Sequence, residues 1–84
     1  MKKYKIYAGY YEIYVTECEL NKPYMLQLET DSIDEVREYL DDIDDAVLTE
    51  ESIADEIGNY NFMIRIENGK PELVEEENDN IFNN

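Results

Sequence analysis

Ser32-Ile33-Asp34-Glu35-Val36-Arg37-Glu38-Tyr39-Leu40-Asp41-Asp42-Ile43-Asp44 is the stretch where the chain changes period, and its reading decides the fold class. Before it, apolar residues alternate with polar ones. Within it, Ile33, Val36, Leu40 and Ile43 recur at i, i+3, i+7 and i+10, the spacing of one helix face. Ser32 and Glu35 stand in the relation of a capping box, so a helix is expected from Ser32 as N-cap to about Asp44. Asp34 and Glu35 suit the positive end of its dipole, whereas Asp41, Asp42, Asp44 and Asp45 crowd the negative end at a cost of a few tenths of a kcal/mol per charge, roughly.

N-terminal to this helix the pattern is that of strands. Tyr4, Ile6 and Ala8 alternate with Lys5 and Tyr7, and Ile13 and Val15 alternate with Glu12, Tyr14 and Thr16. Gly9 between them is a turn or a bulge, giving either a hairpin or one bent strand. Asn21-Lys22-Pro23 is a turn, and Tyr24–Glu29 a third strand with Tyr24, Leu26 and Leu28 on one face. C-terminal to it, Thr49 is expected to cap a second helix that Gly58 ends, with Leu48 and Ile53 at the staple positions. Phe62, Ile64 and Ile66 alternate with Met63, Arg65 and Glu67, and Asn68-Gly69 is the preferred hairpin turn before a strand from Lys70 to Glu75.

The order β-β-β-α-α-β-β predicts an α+β fold, an antiparallel sheet of about five strands with two helices on one face. The expected core sets Ile6, Ile13, Val15, Leu26, Leu28, Phe62, Ile64 and Ile66 against Ile33, Val36, Leu40, Ile43, Ile53 and Ile57. Residues 1–75 form one domain, with 76–84 an acidic, Asn-rich, frayed tail. At 84 residues and 43% hydrophobic content the chain is globular, with a small core and a thin stability margin. It offers no apolar run of the roughly 18 residues that span a bilayer, and no signal-peptide pattern at Met1-Lys2-Lys3-Tyr4. Cys18 is the only cysteine, which fits a reducing cytoplasm.

Charge is the second organising feature. Between Glu29 and Glu56 thirteen carboxylates face a single base, Arg37, while the chain as a whole carries −15. Solvated helix faces ordinarily mix signs through Glu–Lys pairs, and this one does not. Asp34, Glu38, Asp42 and Asp45 make one carboxylate row with about 6 Å between successive turns, and Glu35 and Asp41 widen it. Glu50, Glu51 and Asp55 extend the acidity onto the second helix. Such a surface repels nucleic acid and anionic membranes and attracts the proteins that bind them. The competing readings are a face kept acidic for solubility, as in an adaptor protein, and weak cation binding. An EF-hand counted from Asp41 fails, because position 6 is Ala46 and position 12 is Ser52.

Tyrosine is over-represented: eight in all, with Tyr4, Tyr7, Tyr10, Tyr11 and Tyr14 close together and no Trp. Strand propensity alone recruits Tyr, but Tyr10 and Tyr11 beside Gly9 are the best placed for exposure and for contact with a partner. Catalysis has little support. There is no His, no nucleophile elbow and no Gly-rich phosphate loop, and Glu17 and Glu19 flank Cys18. No cofactor or metal is expected, and the partner-binding set is Asp34, Glu35, Glu38, Asp41, Asp42, Asp45, Glu50, Glu51, Asp55, Tyr10 and Tyr11.

In its short β/α/β layout and its Ile33–Glu56 acidity, the chain resembles the small acidic inhibitors of phages and mobile elements. These are the anti-CRISPR and anti-restriction proteins and the uracil-DNA glycosylase inhibitors, several of which are DNA mimics. The resemblance implies a cytoplasmic monomer or weak dimer that inhibits a basic nucleic-acid-binding protein, a nuclease or a CRISPR or restriction effector. It implies no direct contact with nucleic acid or membrane. Immunity proteins that neutralise nuclease toxins share these features and are the nearest rival.

Overall fold

A computed structural model of the chain describes residues 3–58 and 62–74. The elements are β1 (Tyr4–Ala8), β2 (Glu12–Thr16), β3 (Met25–Thr30), α1 (Ile33–Asp41), β4 (Ala46–Glu50), a 3₁₀ turn (Glu51–Ile53), α2 (Ala54–Ile57), β5 (Met63–Glu67) and β6 (Lys70–Leu73). They form an α+β fold with one six-stranded sheet in the order β3-β1-β2-β4-β5-β6.

The sheet is mixed rather than antiparallel. β1 pairs antiparallel with β2 and β3, and β5 with β6, but β2 with β4 and β4 with β5 are parallel. The extra strand is β4, at residues expected to lead into the second helix. Thr49 is not an N-cap: it lies in β4, wholly buried, with its Oγ1 lacking a hydrogen-bond partner among the described residues. The run Ala46-Val47-Leu48-Thr49 is short, apolar and β-branched, and a parallel central strand buries such a run on both faces. The second helix correspondingly shrinks to a 3₁₀ turn and one α-turn, closed by Gly58 at φ 78°.

Ser32 caps α1 as the sequence implies, its Oγ accepting from the Glu35 N–H at 3.3 Å. The reciprocal half of the capping box is replaced: the Ser32 N–H donates to Thr30 Oγ1 at 3.1 Å, and the Glu35 carboxylate accepts from the Thr30 hydroxyl. The helix stops earlier than expected, at Asp41. The Asp42 and Ile43 N–H groups reach only the third carbonyl back, Tyr39 and Leu40, at 3.3 and 3.4 Å. The last turn therefore tightens where carboxylates meet the negative end of the dipole.

Both helices pack on one sheet face. There Ile6, Ile13 and Val15 meet Val36, Ile53 and Ile57, with Ile33, Leu40 and Ile43 half-buried around them. The sheet also has a second apolar face, built from Tyr7, Tyr14, Leu20, Leu48 and Ile64 with Tyr24 and Ile66 against them. Ile64 and Ile66 thus belong opposite the helices, a correction to the expected single core. Leu26 and Phe62, also expected in that core, are about half exposed, at 49% and 50%. The cause for Leu26 is a bulge. The register shifts between Ile6 and Tyr7, so that Leu28 pairs with Ile6 and Leu26 with Tyr7, on opposite faces.

The β2–β3 connection straps the end of this second face. Leu20 is buried beneath it, and Tyr24 meets Tyr14 edge-on with centroids 5.0 Å apart. The strap is fastened to the β5–β6 turn: the Asn21 N–H donates to the Gly69 carbonyl and Asn21 Nδ2 to the Asn68 carbonyl, each at 2.8 Å. Asn68 and Gly69 both have positive φ, 53° and 74°, as the expected hairpin turn requires. The tail expected at 76–84 lies outside the described residues.

Candidate functional site

α1 carries its carboxylates outward because its apolar stripe is committed to the sheet. Asp34, Glu35, Glu38, Asp41 and Asp42 are all exposed, as are Asp44 and Asp45 in the loop that follows. Asp34, Glu38 and Asp42 form the expected row, spanning about 12 Å of helix axis. Asp45 lies beyond the helix end and leaves that row. It stands instead immediately before Ala46, which the β2–β4 register places beside Glu12.

Arg37 does not neutralise the row. Its guanidinium donates to the backbone carbonyls of Glu56 at 2.6 Å and Ile57 at 3.4 Å, tying α1 to the end of α2. Among the described residues its one ion pair is with Asp34, at 3.7 Å, both side chains being more than half exposed. Glu38, Asp41, Asp42, Asp44, Asp45 and Asp55 make no ion pair or side-chain hydrogen bond among the described residues. Glu35 accepts from the Thr30 hydroxyl at 2.7 Å, and Glu51 faces Arg65 at 3.5 Å. These two are partly engaged at the opposite end of α1 and of β4.

Glu50 has a different place. Its carboxylate accepts from the Thr16 hydroxyl, from the Glu17 N–H at 2.9 Å and from the Cys18 thiol at 3.5 Å, so it clasps the end of β2 to the end of β4. Burial pushes its pKa up, but the bonds from Thr16, Glu17, Cys18 and Ser52 outweigh this and hold it below the ordinary carboxylate value. Burial, then the Glu50 carboxylate, push the Cys18 thiol up. That environment disfavours the thiolate a nucleophile needs.

Tyr10 and Tyr11, in the β1–β2 turn, are each 83% exposed. Through the Glu12–Ala46 pairing their turn lies at the same end of the sheet as the loop holding Asp42, Asp44 and Asp45. The structure therefore brings together two aromatic side chains and the densest part of the acidic segment. It leaves Glu50, Glu51 and Asp55 at the other end of β4.

One element was not foreseen. On the sheet face away from the helices, Glu12, Ala46, Leu48, Phe62 and Leu73 line an open cleft of about 200 Å³. Phe62 and Leu73 are half or more exposed, at 50% and 62%. On the same face, burial of Tyr14, followed by Glu12, pushes its hydroxyl up to about 12, which keeps it neutral. A sequence signal existed in the apolar run that follows Asp45, but β4 must be recognised before Ala46 and Leu48 fall beside Glu12.

Among the described residues no three His, Cys, Asp or Glu side chains are placed to hold a metal ion, and no helix is long and apolar enough to cross a membrane. No protein-family model, curated protein or solved structure matches the chain.

Proposed function

We propose that this protein is a non-catalytic, stoichiometric inhibitor that occupies the basic nucleic-acid groove of a nuclease or of a CRISPR or restriction effector, its acidic surface standing in for phosphates. One observation carries the reading: among the described residues Glu38, Asp41, Asp42, Asp44 and Asp45 pair with no cation, and Arg37, the base within the acidic segment, reaches only Asp34 and otherwise bonds the α2 carbonyls. An acidic face kept for solubility does not need its base tied to backbone carbonyls. Paired with an external Lys or Arg row, the same carboxylates would steer association and lose their mutual repulsion. Tyr10 and Tyr11 supply desolvatable contact area beside that charge. The lone, poorly ionised thiol of Cys18 suits the cytoplasm, where such targets act.

The test is competition. Purified CRISPR effectors, restriction enzymes and nucleases, each holding labelled nucleic acid, are titrated with this protein. Displacement that weakens as salt rises is expected from one of them. Charge reversal of Glu38, Asp42 and Asp45 together should weaken it by up to about 100-fold, since exposed pairs contribute about 0–1 kcal/mol each. Simultaneous binding of target, nucleic acid and this protein, without mutual loss of affinity, would rule mimicry out.

A further inference from the structure

The cleft on the helix-free sheet face has walls of Ala46, Leu48, Phe62 and Leu73 and, among the described residues, a single charged lining residue, Glu12. Its volume, about 200 Å³, falls below the roughly 300–1,000 Å³ of small-molecule pockets, and suits one inserted side chain instead. Exposed Asp44 and Asp45 lie in the loop that leads into Ala46, so carboxylates stand at that end of the cleft beside Glu12, whereas Glu72 alternates to the other sheet face opposite Arg65. Among the described residues no Lys or Arg lines the cleft. A second copy of the chain would bring another −15 against this rim, which argues against self-association.

We infer that this cleft is an anchor socket for the basic partner, receiving one Leu- or Phe-sized side chain that the partner presents between Lys or Arg residues. The inference rests on the proposed basic target and adds a place where the complex is held rather than merely attracted. Rim charges steer, while a desolvated anchor in a pocket governs the dissociation rate. The two parts are contiguous, because Glu12 and Ala46 are register partners and the Tyr10–Tyr11 turn leads directly into Glu12.

Three short peptides serve as probes: Lys-Arg-Lys-Leu-Arg-Lys-Arg, the same peptide with Ser for Leu, and Glu-Asp-Glu-Leu-Asp-Glu-Asp. Binding to the full chain is followed by fluorescence anisotropy and by the methyl NMR signals of Ala46, Leu48 and Leu73. The basic leucine peptide should bind about tenfold more tightly than its serine form, the effect of burying roughly half a leucine side chain, and should move those methyl signals. Leu73→Ser, at an exposed position, and Ala46→Leu, which fills the cleft, should each abolish that preference and leave serine-peptide binding unchanged. Equal affinity for both basic peptides overturns the socket while leaving the electrostatic reading standing. Failure of both basic peptides to bind at low salt removes that reading as well. Equal binding of the acidic leucine peptide shows that the occupant is not basic. A dimer in sedimentation that Leu73→Ser dissolves makes a second copy the occupant. Tighter leucine-peptide binding by Phe82→Ser makes the chain's own terminus the occupant.

Discussion

Replacing Thr49 by Val separates two accounts of one residue. As a helix N-cap, Thr49 would accept a backbone N–H, and its loss would destabilise the fold by about 0.5–2 kcal/mol. In the observed fold it is 0% exposed within β4, and its Oγ1 has no partner among the described residues. A hydroxyl buried without a hydrogen bond costs about 1–3 kcal/mol in proteins, and Val keeps the same branched shape. T49V should therefore stabilise the protein by that amount. For a domain of this size each kcal/mol moves Tm by about 4–8 °C, so the rise should be plain in a thermal melt followed by circular dichroism. Urea titration should give a higher midpoint with an unchanged slope. A lower Tm for T49V would mean that the hydroxyl is bonded, and the β4 assignment would fail with it.

Glu50→Gln removes an ionised acceptor that serves Thr16, Glu17 and Cys18, and should cost about 1–3 kcal/mol at neutral pH. Because the folded pKa of Glu50 is depressed, its contribution is full above the unfolded value and disappears as pH falls through the folded one. Wild type and E50Q should accordingly converge in stability in strong acid, and a gap that persists there would contradict the clasp. Gly69→Ala should destabilise by more than about 1 kcal/mol, since φ is 74° and a Cβ would lie 2.6 Å from the Asn21 side chain; urea unfolding measures this. Moderate salt, or mild acid near about pH 5, should raise Tm by relieving repulsion among the unpaired carboxylates while Glu50 stays ionised. A Tm that falls steadily from low salt upward would mean that attraction dominates.

What the residues disclosed in advance follows their interaction range. The Ser32 cap, the Gly58 stop and the Asn68-Gly69 turn depend on neighbours within a few positions, and each is found where the spacing puts it. β4 was hidden because a Thr followed by two Glu satisfies a local capping pattern. The preference was overridden by partners far along the chain, with Thr49 pairing to Val15 and to Met63. The flip of Leu26 depends on a bulge against β1, which alternation within β3 cannot reveal. The exposure of Tyr10 and Tyr11 and the acidity of α1 were legible because the turn residue and the charges are local. The engagement of Glu50 and the cleft were not, since both require β2 and β4 to lie side by side.

The strand order has a kinetic consequence. β3-β1-β2 on one side and β5-β6 on the other are joined by short connections, whereas the parallel β2–β4 ladder at the centre pairs Glu12 with Ala46 and Val15 with Thr49, partners 34 positions apart in sequence. Local hairpins close early, and a ladder of such sequence separation must await loop closure through α1. The Glu50 clasp and the Asn21–Gly69 strap both cross that same seam. Amide protons in β2 and β4 then exchange only when the whole molecule opens, while those of the outer strands β3 and β6 escape through local fraying. The centre of the sheet is thus the last part to assemble and the last to let water in.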